Sequence, residues 1–86
     1  MKNINAILEI ARDYLDGKID NISIALDLPN EIDKRYAKMQ KEDSEFVDMI
    51  YYYLIELGTY KYYDVDSAEF KRIMTRACEE VLDGVY

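Results

Sequence analysis

The chain has 86 residues, half of them apolar and about a third charged, with a formal net charge of −7. That length supports one domain, and the balance is too apolar for a disordered chain. The acidity argues against nucleic acid and anionic membranes as partners, since phosphate binding needs clustered Lys and Arg.

Other exclusions follow from single residue types. There is no histidine, which removes the commonest general base and the commonest transition-metal ligand. Cys78 is the only cysteine, so neither an internal disulfide nor a thiol zinc site can form. The opening residues hold no apolar run of signal-peptide length, and no later stretch could span a bilayer, so a cytoplasmic protein is expected.

In chain order, the first predicted helix runs from Asn3 to Leu15, with Ile4, Ile7, Leu8, Ala11 and Leu15 on one buried stripe. Gly17 suits the left-handed position that ends it. Asp20 is an N-cap for a short second helix carrying Ile22, Ile24, Ala25 and Leu28, which Pro29 is expected to break. A third helix from Asn30 shows Ile32, Tyr36 and Met39 inward, and Lys34, Arg35, Lys38 and Lys41 make it locally basic. Those bases read as a solvated face that could attract the neighbouring acidic helix.

The fourth predicted helix, Ser44 to Leu57, has Phe46, Ile50, Tyr53, Leu54 and Leu57 on its inner face and Gly58 at its end. Its outward stripe is Glu45, Asp48, Tyr52 and Glu56, at offsets that place the four on one side. Repulsion between Glu45 and Asp48 is roughly cancelled by the helix dipole, each effect being a few tenths of a kcal/mol, so stability does not explain the stripe. Gly58 to Val65 is a loop rich in tyrosine: Tyr60, Tyr62 and Tyr63. Asp66 caps the last helix, with Glu69 placed to complete a capping box, and Phe70, Ile73, Met74, Ala77, Val81 and Leu82 trace its seam. Cys78, at the edge of that seam, reads as a small buried hydrophobe. The expected fold is all-α, a compact bundle of four main helices plus one short helix in a single domain over residues 1–86.

Charge is distributed unevenly. Glu42 to Glu69 holds eight acids and one base, Lys61, whereas the rest of the chain has ten acids and ten bases. Six of the nine tyrosines (Tyr51, Tyr52, Tyr53, Tyr60, Tyr62, Tyr63) lie there as well. An anionic field interleaved with amphipathic rings points to a recognition surface for a basic protein. The predicted partner-binding residues are Glu45, Asp48, Tyr52, Glu56, Tyr60, Tyr62, Tyr63, Asp64 and Asp66. Catalytic, metal and cofactor assignments are none. No glycine-rich phosphate loop occurs, and the Asp64-Val65-Asp66 opening of a calcium loop fails where glycine is required, at Glu69, and at its twelfth position, Thr75. An enzyme is not expected.

At Ala11, Tyr14, Leu15, Lys18 and Ile19 the chain resembles the self-protective immunity proteins of the colicin D type, which open with an amphipathic helix, an aromatic–leucine pair and a small residue–Lys–Ile turn. It departs from them at Ile24, where members place an aromatic. Tyr36 in the third helix and the acidic lead into the last helix extend the likeness. The resemblance implies a four-helix protein made beside a nuclease toxin, with acidic residues filling the toxin's basic cleft. In the colicin D case the toxin cleaves tRNA and the immunity protein stands in for RNA phosphates. Two other readings stay open: a helical interaction module or homo-oligomeric subunit, and a phage-type nucleic-acid mimic.

Overall fold

The computed structural model describes residues 1–84, and those residues form an all-α fold of three helices rather than four main helices and a short one. Helix α1 is Lys2–Leu15, α2 is Asn21–Ile50 and α3 is Ser67–Asp83. A π-helical segment, Tyr51–Glu56, continues α2, and a 3-10 turn, Thr59–Lys61, follows it. Among the described residues no helix is long and apolar enough to cross a membrane.

The correction to the helix count centres on Pro29. It lies inside α2, so the second and third predicted helices are one. An interior proline costs about 3 kcal/mol through its missing N–H and its clash with the preceding turn. Ile24, Leu28 and Ile32 are fully buried on one continuous stripe across it, at about 1.5–3 kcal/mol each, and that burial outweighs the proline. The real break falls at Asp43, whose φ of −167° and ψ of 95° are extended. Its Oδ1 accepts from the Phe46 backbone N–H at 3.1 Å and so starts a new helical run where the sequence predicted one, at Ser44.

The π segment corrects the inner face of the predicted fourth helix. Ile50 and Leu54 are buried as expected, but Ile55 is buried as well and Leu57 is 40% exposed. An α-helix turns 100° per residue, which would put Leu57 beneath Ile50 and Leu54. The i→i+5 bond from the Leu57 N–H to the Tyr52 carbonyl (3.0 Å) marks a wider turn, in which each residue advances less. The lag carries Ile55 inward and Leu57 outward.

Elsewhere the inward assignments fail at three more positions. Ile22 is 57% exposed and Tyr36 41% exposed, and at the end of α1 it is Tyr14, not Leu15, that is buried. The Tyr14 hydroxyl donates to Asn21 Oδ1 at 2.7 Å, so the ring enters the core with its polar end satisfied. Gly17 has φ +78°, as the predicted left-handed end of α1 requires. Asp20 and Asp66 both cap as expected, accepting from Ser23 and Glu69 backbone N–H groups at 2.9 and 2.8 Å. The second half of the capping box is not made, because the Glu69 carboxylate pairs with Arg72.

One tie across the fold is absent from any local pattern. Glu42, near the end of the first run of α2, accepts from the Asn3 N–H (3.0 Å), the Asn3 side-chain amide (2.9 Å) and the Ile4 N–H (2.9 Å). These are free donors of the first turn of α1, so a carboxylate almost forty residues away caps that helix.

Candidate functional site

The acidic stretch divides, once folded, into carboxylates with structural work and carboxylates without. Glu42 caps α1, Asp43 and Asp66 cap helical runs, and Glu69 pairs with Arg72. Accordingly the carboxyls of Glu42 and Glu69 sit below the usual glutamate range, Glu42 because backbone N–H groups of Ile4 and Asn3 donate to it and Glu69 because Arg72 does. Glu45, Asp48, Glu56 and Asp64 are exposed and form no ion pair among the described residues. The bases of α2 do not reach them. Lys34 and Arg35 bind Glu31 on their own helix at 3.4 and 3.1 Å, and Arg35 also donates to Asn3 Oδ1 at 2.9 Å.

The predicted aromatic residues take three different positions. Tyr52 lies on the exposed stripe with Glu45, Asp48 and Glu56, its ring edge-on to half-buried Tyr53 at 5.2 Å. Tyr62 is half-buried and edge-on to the core ring of Phe70 at 5.1 Å, and Tyr63, 87% exposed, stands edge-on to Tyr62 at 5.0 Å. Tyr62, Tyr63 and Asp66 border one recess beside the start of α3. Tyr60 borders a different recess, and its hydroxyl lies 3.1 Å from that of Tyr51. Tyr60 and Tyr51 there share a small recess with Pro29, Ile32 and Asp33 of α2 and with Ile55.

The sequence reading counts Tyr51 among the six clustered tyrosines but not among the predicted partner-binding residues, and it does not single out Asp33. Their meeting leaves no linear signal, because it depends on α2 continuing through Pro29 and on the path of the chain after Tyr51, which brings Ile55 and Tyr60 to the same recess. The Tyr51 phenol is pushed above its ordinary pKa, first by its hydrogen bond with Tyr60, then by that ring's charge and by burial, with smaller contributions from Asp33 and Glu56.

The remaining chemistry of the described residues is sparse. No group of three or more Asp, Glu or Cys side chains converges there as a metal ion would need. Cys78 is buried and its thiol is pushed up to about 12, chiefly by burial and then by the charge of Glu79, so it is protonated and unreactive at neutral pH. The arrangement can attract and hold a cationic surface through free carboxylates and exposed rings. Comparison with protein-family models, with curated proteins and with solved structures finds no match for this chain.

Proposed function

We propose that this protein binds a basic protein through the exposed side of residues 45–64, and that the partner is a nuclease toxin whose substrate cleft it blocks, as an immunity protein does. The observation that carries the reading is the set of unpaired acids. Glu45, Asp48, Glu56 and Asp64 are exposed without a basic neighbour in ion-pair contact, although six of the chain's eleven Lys and Arg form no ion pair among the described residues. A surface kept for solubility alone would have both signs interspersed. Exposed Tyr52, Tyr60 and Tyr63 add amphipathic contact area at low entropy cost, the kind of residue that anchors interfaces. Steering by such a field raises association rates toward ~10⁸–10⁹ M⁻¹s⁻¹ at low salt.

The test is co-expression with a basic nuclease toxin domain taken from this chain's own gene neighbourhood. The wild-type chain relieves that domain's toxicity, and Asp48→Lys with Glu56→Lys removes the protection while circular dichroism and the melting curve stay unchanged. Full protection by the double variant would overturn the interface.

A second reading is favoured by a different observation: Ile22 and Leu26, one turn apart on α2, are each 57% exposed. An apolar pair of that kind suits an interaction module or a self-associating subunit. Size-exclusion chromatography at two salt concentrations separates the readings, since a salt-insensitive dimer supports the module and a monomer supports the inhibitor.

A further inference from the structure

We infer that the recess between α2, the π segment and the 3-10 turn is a receptor for one basic side chain of the partner, an arginine in preference to a lysine. The inference rests on the anionic-face reading above and adds to it a single anchoring point. The recess has a floor of Pro29, Ile32 and Ile55, and a rim of Asp33, Tyr51 and Tyr60. Its volume is about 50 Å³, against the roughly 150 Å³ of an apolar cavity that holds one benzene ring. That excludes an aromatic side chain or a free metabolite, and it accommodates a methylene stem or the edge of a planar cation.

The chemistry of the rim selects the charge. Asp33 is exposed and makes no ion pair among the described residues, so its carboxylate is available to a donor. In the Tyr51–Tyr60 pair one hydroxyl donates to the other, which leaves acceptor lone pairs on both oxygens. A guanidinium can donate to Asp33 and to a phenol oxygen from one plane while its face rests on a tyrosine ring, and its aliphatic stem can lie on Ile32 and Ile55. An ammonium is a point donor with a tightly held hydration shell and uses less of this geometry. An anion would meet Asp33 and the negative edge of the acidic stripe. The Tyr51 phenol is raised chiefly by its hydrogen bond with Tyr60, and Asp33 and Glu56 add smaller contributions of the same sign, in keeping with an anionic surrounding. Pro29 fits the same picture: a residue that is costly inside a helix supplies a rigid apolar wall.

The experiment titrates the full chain with hexa-arginine, hexa-lysine and hexa-citrulline and follows backbone amide shifts by NMR. Saturable shifts centred on Asp33, Tyr51 and Tyr60, strongest with arginine and absent with citrulline, are expected. Asp33→Asn should weaken that binding about tenfold, the loss of one charge-assisted hydrogen bond. Glu79→Gln, which removes the same charge from α3, should change it less than about twofold. Hexa-arginine shifts confined to Glu45, Asp48 and Glu56 would overturn the recess and leave the anionic face standing. Equal weakening by Asp33→Asn and Glu79→Gln, or equal binding of lysine and arginine, would also overturn the assignment. An unperturbed spectrum with hexa-arginine would overturn both the recess and the face.

Discussion

Glu42 holds the N-terminus of α1 through Asn3, one carboxylate oxygen accepting from both the backbone and the side-chain amide of that residue at 3.0 and 2.9 Å. The tie joins the first turn of the chain to the end of the first run of α2, and it is the carboxylate form that makes it. Donation by the Ile4 and Asn3 N–H groups depresses the Glu42 pKa, so the stabilisation is fully present above the ordinary glutamate range and is lost as pH falls through the lowered folded value. Glu42→Gln is therefore expected to lower the melting temperature at neutral pH, with the gap to wild type closing under acid. A gap that stays constant across the carboxylate range would show that charge is not what Glu42 contributes.

Thr59 offers a gain rather than a loss. It is 6% exposed, and its Oγ1 is buried with no hydrogen-bond partner among the described residues. A buried unsatisfied hydroxyl costs about 1–3 kcal/mol, and valine has the same shape without the polar atom. Thr59→Val should raise the unfolding free energy by about 1 kcal/mol in urea titration. A drop of that size would mean the hydroxyl has a partner in solution.

Pro29 is a second place where stability can be added. Alanine there restores the i→i−4 hydrogen bond to Ala25 and relieves the ring's clash, worth about 3 kcal/mol, against about 0.4–1 kcal/mol of unfolded-state entropy that proline contributes. With the loss of ring contacts in the core margin, Pro29→Ala should be more stable by about 1–2 kcal/mol. The same variant removes one wall of the recess, so tighter folding and weaker hexa-arginine binding should appear together.

Gly58 has no such latitude. A Cβ there would stand 2.5 Å from the Leu54 carbonyl oxygen and 3.0 Å from Met74 Sδ. Gly58→Ala should lose about 1–3 kcal/mol, the usual range for overpacking. Since the closest atom is backbone, trimming the sulfur with Met74→Ala should not restore the loss. Restoration would place the conflict at the side chain.

Much of the helical content was legible because it depends on local rules. The stripe of Ile4, Ile7, Leu8 and Ala11, the caps at Asp20 and Asp66, the turn at Gly17 and the seam of Phe70, Met74, Ala77 and Val81 follow from spacing and capping alone. Pro29 misled because its local cost is real and only the summed burial of Ile24, Leu28 and Ile32 exceeds it. The π turn left no trace in the pattern, and with it went the placement of Ile55 and Leu57. For the candidate site, the exposed acids Glu45, Asp48 and Glu56 were readable as an outward stripe, whereas Asp33 and Tyr51 join it only through packing between elements distant in the chain.

The widened turn at Tyr51–Glu56 acts as a spare link in the chain. Its five-residue step does the work of an ordinary four-residue one, so losing one residue ahead of Ile55 would close it to α winding and leave everything downstream on its present bearing. Ile55 would then stand four places after Ile50 and stay inward, and Leu57 six places after it and stay outward. A codon lost there would cost this face little, whereas one lost in the regular winding just ahead of Asp48 would turn Glu45 about 100° away from Tyr52 and Glu56.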